Sequence, residues 1–452
     1  MTGGLPCALC PSLGALPCGA RPAILRNWPD RPGVWRVGAA EGTGGVMEAR
    51  LIEDRLLWNR FVASTLTGHL CQTYEWADHS PGAAARADSL RVGVVDEAGA
   101  LVAAMLLVRS RASGLRAPFY YAPRGPVCAD AQSPALPLLT DLARREARKR
   151  GAFMMRVEPN VPDGDEAWLG ALRRLGFRAT SHQIYLRSAW ITDIRPSEDE
   201  ILAGMMMTWR QNIRSGARKG ATVRVGAGED DLDAFHRLLV ETGARDRFPV
   251  YPRQVFVDML RNYSAERAAR DGTAEMVLLV VEHGGEPIAA GVVAAFGAGS
   301  WSLMCGSSGK AEHRKLRPNY LLQWESIRWA KARGAEYYDF RGIPDVLKPG
   351  EEMYGVYEFK RGFGGAVYRV IPTQDLVLRP ALYWPYNAVV TVRRSQRDHQ
   401  RRRFERRREH ARAQREAAAH AAKASGGTTG GAPNQREAGA PDALAKESSS
   451  RG

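Results

Sequence analysis

The residues best suited to chemistry form one short stretch, Tyr354 to Arg369, in the last third of the sequence. A dibasic pair, Lys360 and Arg361, stands there between two phenylalanines, and three glycines follow within four positions. Glycines allow a tight turn or a close approach to a ligand. A fixed lysine cation can stabilise negative charge that develops during a transfer reaction. The same pattern is also typical of a strand, a glycine turn and a strand, with Lys360 on the surface.

A second basic group lies on a predicted helix over residues 197–219, which begins with a capping box. Arg210, Arg214 and Arg218 recur at i, i+4 spacing and therefore share one helix face. No acidic residue between positions 200 and 229 offsets their charge. The face is compatible with an anion-binding site and, equally, with a solvated surface.

Composition points to a polyanionic partner. The 452 residues carry a formal net charge of +15, which favours nucleic acid, a phosphorylated substrate or anionic lipid. Much of the excess lies in an arginine-rich segment, predicted as a helical tail over 393–423 and followed by a disordered tail over 424–452. No apolar run reaches the roughly 18 residues that span a bilayer. The cysteines lack zinc spacing, so we predict no metal site. Since the N-terminus also lacks the pattern of a signal peptide, we predict a cytoplasmic protein.

The elements that must position these residues occur twice. Hairpin patterns at 91–108 and 275–296 are each followed by a helix pattern ending in Arg-Gly-Ala and then by a strand pattern. The two helix copies align without a gap, which favours duplication. We therefore predict an α/β fold of two similar domains with mixed sheets. The boundaries expected are 47–192, completed by 372–392, and 193–371, with 1–46 a disordered or mis-annotated extension.

Two nucleotide-binding motifs match only in part. Arg361 to Ala366 fits R-x-x-G-x-A, the pyrophosphate loop of CoA-dependent N-acetyltransferases, but the residues that follow predict a strand where that loop needs a helix N-terminus. Gly306 to Lys310 lacks the first glycine of a P-loop and the hydroxyl residue after its lysine. No nucleophile motif is evident. A transfer reaction here would depend on positioning and electrostatics.

Several segments together resemble the FemABX family of peptidoglycan-branching aminoacyltransferases, in the form without a coiled-coil arm. The resemblance covers about Leu66 to Tyr386, and its specificity comes from the order and spacing of individually weak motifs. These motifs are Tyr121-Ala-Pro-Arg-Gly-Pro-Val, Thr208-Trp-Arg-Gln-Asn-Ile-Arg, Glu241-Thr-x-x-Arg-Asp-x-Phe248, Tyr338-Asp-Phe-Arg-Gly-Ile343 and Gly355-Val-Tyr-Glu-Phe-Lys-Arg-Gly-Phe363.

The resemblance implies two tandem acetyltransferase-like (GNAT-like) domains. It also implies that the donor is an aminoacyl-tRNA, with no further cofactor. The acceptor would be the stem peptide of a UDP-linked or lipid-linked muropeptide precursor, and the product a peptide bond that starts an interpeptide bridge. Work on a lipid-linked acceptor would place the protein at the inner face of the membrane, where the arginine-rich tail could contact anionic lipid.

The resemblance also implies roles for individual residues. Lys360 would stabilise the charge that develops at the ester carbonyl, Phe359 would shape the site, and Asp130 would accept or orient the amine proton. Substrate would be bound by Arg210, Arg214, Tyr121, Arg124, Tyr251, Arg361 and His79. His79 stands near a position where the family often has a lysine, which this sequence lacks.

Two other functions are also compatible with the sequence. The first is a GNAT-type, CoA-dependent N-acyltransferase that uses Arg361 to Ala366. The second is a non-enzymatic protein that binds RNA or a membrane surface through the arginine-rich tail.

Overall fold

The computed structural model describes residues 46–79, 88–112, 115–246, 248–351 and 353–396. The predicted extension over 1–46 lies outside these residues except for its last position, and the arginine-rich tail lies outside them beyond residue 396. The chain up to Pro385 forms one compact unit. Among the described helices, none combines the length and the apolar character that a bilayer crossing requires.

The first sheet has eight strands within the described residues. They are β1 (Glu48–Leu51), β2 (Leu90–Val95), β3 (Leu101–Arg111), β4 (Pro118–Arg124), β5 (Val127–Cys128), β6 (Met154–Pro159), β7 (Phe177–Ala179) and β15 (Gln374–Val377). The order is β1-β2-β3-β4-β6-β15-β7, with β5 paired to β3. Its helices are α1 (Arg55–Ser64), α2 (Ala135–Lys149) and α3 (Glu166–Arg174).

The second sheet has seven strands within the described residues. They are β8 (Ser188–Asp193), β9 (Thr222–Val225), β10 (Glu275–His283), β11 (Glu286–Phe296), β12 (Gly299–Ser307), β13 (Tyr337–Gly342) and β14 (Ala366–Arg369). The order is β14-β8-β13-β12-β11-β10-β9. Its helices are α4 (Glu198–Gly204), α5 (Met207–Arg218), α6 (Gly228–Asp246), α7 (Arg253–Asn262), α8 (Ala265–Asp271), α9 (Ala311–Lys315), α10 (Pro318–Ala332) and α11 (Tyr354–Arg361).

The two sheets share one plan, as the repeat in the sequence predicts. Helices α2 and α10 begin at residues 135 and 318, and strands β6 and β13 begin at 154 and 337, 183 residues apart in both cases. Strand β6 pairs in parallel with β4, and β13 pairs in parallel with β12, and the helix lies in the connection between the two strands in each case. All the other pairings in both sheets are antiparallel. The predicted fold of two α/β domains with mixed sheets is confirmed.

The chain crosses between the sheets twice. Strand β8, which the expected boundary at 192 assigns to the first domain, pairs with β13 and β14 of the second sheet. Strand β15 returns to the first sheet and inserts between β6 and β7. There the Asp375 carboxylate accepts two hydrogen bonds from Arg156, at 2.7 and 2.8 Å, and both side chains are buried. The sheet pairing therefore divides the chain before Ser188.

One local prediction differs from the structure. The helix predicted over 197–219 has its capping box at Ser197 but is broken into α4 and α5 at Met205 and Met206. The backbone N–H of Met206 donates to the carbonyl of Gly362 at 2.9 Å, so a contact with another segment replaces helix continuity.

Candidate active site

The stretch around Lys360 is a helix, not the strand of the simpler prediction. Helix α11 begins after Met353, whose φ of 62° places it in the left-handed region. The rings of Phe359 and Phe363 contact the Tyr320 ring of α10, with centroids 5.2 and 6.2 Å away. This aromatic packing fixes the last turn of α11 against α10, so that the Lys360 side chain points into the protein.

The Lys360 ammonium is held by the end of β13. Its Nζ donates to the carbonyl oxygens of Gly342 at 2.7 Å and Arg341 at 3.2 Å. These carbonyls are exposed to it because Arg341 has a φ of 69°, which interrupts the strand. The Asp339 carboxylate stabilises that conformation by accepting the backbone N–H of Arg341 at 2.6 Å. Asp339 and Arg341, which the prediction left without a role, therefore shape the lysine site.

Burial lowers the pKa of Lys360 from its usual value to about 8. Loss of hydration is the largest cause, and the Arg341 guanidinium acts in the same direction, whereas Asp339 opposes the shift. Burial in turn raises the pKa of Asp339. At neutral pH the ammonium is thus still protonated, but it is weakly solvated, which makes it a strong electrostatic partner for an oxyanion.

The glycines after Lys360 serve packing within the protein. A side chain at Gly362 would lie 2.1 Å from the Trp209 indole, and one at Gly365 would lie 2.2 Å from the carbonyl of Ile191. Gly365 also has a φ of 110°. The close approach to a ligand that these glycines could allow has no support in their surroundings. Strand β14 follows them, as the sequence predicts, so the R-x-x-G-x-A match does not open a helix.

Arg124 and Arg341 come together between the two sheets. Their guanidinium carbons lie 5.9 and 5.5 Å from the centroid of the Tyr185 ring. Arg124 also donates to the carbonyl of Leu186 at 2.8 Å, and among the described residues it has no carboxylate partner. Tyr185 itself lies in the segment that leads into β8. Two arginines from different domains thus meet on one aromatic ring, next to the lysine site.

Tyr121 helps to hold the segment that carries Tyr185. Its hydroxyl donates to Glu158 at 2.5 Å, and its ring lies 6.3 Å from that of Tyr185. Glu158 also accepts the backbone N–H groups of Ile184 and Tyr185, at 2.6 and 3.2 Å. Burial and the nearby carboxylate raise the pKa of Tyr121 well above its usual range. The contacts of Tyr121 therefore position the segment that carries Tyr185.

A cavity of about 310 Å³ opens between the two sheets. Its wall includes Arg124, His69 and Asp130 from the first domain and Asp339 from the second. Asp130 is exposed, and its carboxylate accepts the backbone N–H of Gln132 at 2.8 Å. The structure thus brings Asp130 and Arg124 to one cavity, whereas among the described residues it gives Asp130 no contact with Lys360.

The remaining predicted residues do not gather at one point. Arg210 donates to the carbonyls of Ala203 and Met205 at 2.8 and 3.0 Å, so it caps the end of α4. Arg214 is exposed and has no ion-pair partner in the described chain. Arg361 is an exposed residue that pairs with Glu358 at 3.4 Å. Tyr251 is 53% exposed.

His79 ends a short 3-10 turn at Trp76–His79. Its side chain lies outside the described residues.

The fold of two domains with mixed sheets places this protein in the class of tandem GNAT-like proteins. Residues 207–361 match the model of the acetyltransferase (GNAT) domain. Residues 55–164 match the model of the FemAB family. The GNAT match ends on Lys360 and Arg361, so it includes the whole of α11.

Similar proteins cover most of the chain. The lipid II:glycine glycyltransferase of Staphylococcus saprophyticus is 24% identical over 398 residues, which is 75% of this chain and 94% of that protein. Its Staphylococcus aureus counterpart is 24% identical over 395 residues, with 72% and 91% covered. A crystal structure of FemX superposes with a TM-score of 0.66 and 21% identity, covering 75% of this chain and 100% of FemX. The chain is thus similar to FemABX proteins over most of its length, and its similarity to the glycyltransferases supports an acyl- or aminoacyltransferase.

Proposed function

We propose that this protein transfers an amino acid from an aminoacyl-tRNA to an amine on the stem peptide of a peptidoglycan precursor. The observation that carries the proposal is the desolvated ammonium of Lys360, fixed by two carbonyls at the end of β13. The related glycyltransferases are named for lipid II as the substrate and glycine as the group transferred. This name supports a lipid-linked precursor as the acceptor.

In the proposed reaction the neutral amine attacks the carbonyl carbon of the ester that joins the amino acid to the tRNA ribose. A C–N bond forms and the C–O bond to the ribose breaks. The amine loses a proton, and the ribose oxygen gains one. Lys360 stabilises the negative charge on the carbonyl oxygen in the tetrahedral state and then on the departing ribose oxygen. The protein forms no covalent intermediate.

The exposed face of α5 is our candidate for contacts with phosphate. Arg214 and Arg218 lie one turn apart on it, are both exposed and lack ion-pair partners among the described residues. The indole N–H of Trp209, on the same helix, donates to the carbonyl of Phe359 at 2.9 Å. A phosphate held by this face would therefore lie close to the helix that carries Lys360. A diphosphate of the acceptor and a phosphate of the tRNA are both possible ligands.

A CoA-dependent N-acyltransferase is the second candidate, because residues 207–361 match a GNAT domain model. The structure of the R-x-x-G-x-A match weighs against it. Gly364 is engaged through its carbonyl, which accepts the Trp190 indole N–H and the Thr192 hydroxyl, both at 2.7 Å. Saturable binding of acetyl-CoA in calorimetry would favour this candidate over the first.

The deciding experiment is a transfer assay with purified protein, lipid-linked and UDP-linked precursors, and a set of charged tRNAs. Mass spectrometry of the precursor would report an added aminoacyl residue. The proposal expects addition with at least one charged tRNA and none with acetyl-CoA or with uncharged tRNA and free amino acid. Addition from acetyl-CoA alone would overturn it.

A further inference from the structure

The last helical segment of the described chain, residues 380–396, exposes an apolar face. Six exposed apolar residues recur there at positions i, i+3, i+4, i+7, i+8 and i+11, a spacing that places them on one side of a helix. They are Ala381, Trp384, Pro385, Ala388, Val389 and Val392. The three largest, Trp384, Val389 and Val392, are 49%, 48% and 55% exposed. Single exposed apolar residues are ordinary, but a continuous row of them indicates a surface that contacts a partner.

The beginning of this segment is fixed to the first sheet. Tyr383 is buried, and its hydroxyl donates to the Asp375 carboxylate of β15 at 3.2 Å. Its ring lies 5.1 Å from that of Trp384, and the guanidinium carbon of the exposed Arg178 lies 4.8 Å from the centroid of the Trp384 ring. These contacts hold an indole and a cation side by side at the protein surface. Both side chains are favoured at the boundary between lipid headgroups and acyl chains, because each combines an apolar part with a polar end.

Positive charge follows the apolar face directly. Arg393 and Arg394 are exposed at the end of the helical segment. Over 393–415 the sequence contains eleven arginines and three acidic residues, an excess of eight positive charges. An anionic surface attracts such a stretch over about one Debye length, roughly 8 Å at physiological salt. The combination of an apolar helix face with a dense basic stretch is typical of helices that lie on a membrane surface.

Three kinds of partner carry negative charge or cover apolar surface, and they satisfy this segment to different degrees. RNA would pair with the arginines but leave the exposed valines without an apolar partner, since phosphate and sugar dominate its surface. A second copy of the chain would cover the valines but bring two arginine-rich segments together, which would repel each other. An anionic bilayer offers negative headgroups and, about 5–10 Å below them, apolar acyl chains. It therefore matches both features of the segment.

We propose that residues 380–396 bind the surface of an anionic lipid bilayer. Trp384, Val389 and Val392 enter the boundary between headgroups and acyl chains, while Arg178 and the arginines from 393 onwards contact the headgroups. The helix lies along the surface instead of crossing it. This binding goes beyond the transfer reaction proposed above and does not rest on it, because its evidence lies on a different surface of the protein.

The test is co-sedimentation of the full chain with lipid vesicles, either of phosphatidylglycerol mixed with phosphatidylcholine or of phosphatidylcholine alone. We expect saturable binding to the mixed vesicles and at least about tenfold weaker binding to phosphatidylcholine, since each arginine near an anionic surface contributes roughly fivefold. Added salt should weaken the binding to mixed vesicles. Absence of binding to the mixed vesicles would overturn the proposal, as would equal binding to both kinds of vesicle.

The apolar contribution is tested by replacing Val389 and Val392 together with serine. Serine and valine have similar helix propensities, so the helix should remain, as circular dichroism would show. Loss of the two apolar side chains should weaken binding to the mixed vesicles by about tenfold. Val240→Ser on α6 is the matched control, because Val240 is 47% exposed on another helix. That variant should bind as the wild type does, whereas wild-type affinity in the double valine variant would overturn the proposal.

The charge contribution is tested by Arg393→Gln with Arg394→Gln. This double variant should weaken binding to the mixed vesicles by roughly tenfold or more and leave the weaker binding to phosphatidylcholine unchanged. An equal loss on both kinds of vesicle would contradict the headgroup contacts.

Two further measurements address the other partners. Filter binding of tRNA that falls in the double valine variant would assign the apolar face to RNA. A dimer in analytical ultracentrifugation without lipid, lost in the same variant, would assign it to a second copy of the chain. Either result would overturn the proposal.

The vesicle result and the transfer result are separable. Vesicle binding without aminoacyl transfer would keep the membrane surface and remove the proposed reaction. Aminoacyl transfer without vesicle binding would keep the proposed reaction and remove the membrane surface.

Discussion

The Lys360 ammonium and the carbonyl oxygen of Gly342 lie 2.7 Å apart. This contact joins α11 to the end of β13, and it exists because Arg341 has a left-handed backbone. The lysine thus has two uncharged acceptors and one nearby carboxylate, Asp339, that does not bond to it directly among the described contacts. A cation held in this way is available to a ligand, because no carboxylate neutralises it through a direct ion pair.

Lys360→Met should abolish transfer without unfolding the protein. Removal of one preorganised charge that contacts the reacting oxygen typically costs about 10²–10³-fold in kcat. Because the pKa of Lys360 is lowered to about 8, keeping this lysine charged at pH 7 destabilises the folded state by up to about 3 kcal/mol. The methionine variant has no such cost, which offsets the loss of the two hydrogen bonds made by the lysine. The melting temperature should therefore not fall.

Single-turnover rates and thermal melts would check this prediction. Lys310→Met is a suitable control, because that lysine is about half exposed and pairs with Glu286 on the surface. Near-normal turnover in Lys360→Met would contradict the proposed role, whereas a large drop in its melting temperature would show that the lysine is structural.

The rate of transfer should depend on pH through the protonation of Lys360. Transfer needs a neutral acceptor amine, whose usual pKa is about 10.4 for a lysine-type amine, and a protonated Lys360, whose pKa is about 8. Below pH 8 only the amine limits the rate, which should rise about tenfold per pH unit. Above pH 8 the loss of the lysine proton cancels this gain, so the rate should become constant.

Lys360→Arg provides the comparison, since arginine stays protonated throughout this range. Its rate should be lower but should continue to rise above pH 8. The measurement is kcat/KM between pH 6 and 9.5, corrected for spontaneous hydrolysis of the ester. A continued rise in the wild type would show that Lys360 does not act as the protonated form.

The sequence predicts the repeated architecture well, because hairpins, helix caps and apolar spacing are local signals. The offset between the two copies is visible in residues such as Gly151 and Gly334, which both adopt positive φ after their helices. The surroundings of Lys360 could not be predicted in this way. Its acceptors come from β13, and its helix forms against Tyr320, so tertiary contacts override the strand-like alternation of aromatics around it.

Helix α5 also shows that tertiary contacts cannot be predicted from local sequence patterns. The spacing of Arg210 and Arg214 predicts a shared face, but it does not show that Arg210 turns back to the carbonyls of α4. The helix break that makes this possible depends on the contact between Met206 and Gly362. The resemblance did single out the segment with Asp339 and Arg341, although it gave neither a role.

Arg210 and Arg214 should therefore differ when each is replaced by alanine. Arg210→Ala removes hydrogen bonds to the last carbonyls of α4 and should lower stability by about 1 kcal/mol, which is typical of a lost cap. Arg214→Ala should leave the melting temperature unchanged and weaken a phosphate-bearing substrate about three- to tenfold in KM. Thermal melts and KM for the precursor would separate them. Equal effects of both variants on KM alone would contradict the structural role of Arg210.

Gly362→Ala should damage activity through packing. The added methyl would lie 2.1–2.5 Å from the Trp209 indole, which must move. That shift would break the Trp209 bond to the Phe359 carbonyl and displace the end of α11. We expect a stability loss of about 1–3 kcal/mol, as for overpacking, and a fall in kcat larger than the change in KM. Gly355→Ala on the same helix, where a methyl meets nothing within 4 Å, is the matched control.

The buried pair of Arg156 and Asp375 should be the most sensitive point for stability. It joins β6 to the returning strand β15, and Asp375 also accepts the Tyr383 hydroxyl at 3.2 Å. Asp375→Ala leaves a buried arginine without its partner, which typically costs about 3–5 kcal/mol. Tyr383→Phe removes only a neutral hydrogen bond and should cost about 1 kcal/mol. The double variant Arg156→Met with Asp375→Leu should recover most of the loss in chemical unfolding, because no charge remains buried alone. If it were as unstable as Asp375→Ala, the cost would come from β15 packing instead of the unpaired charge.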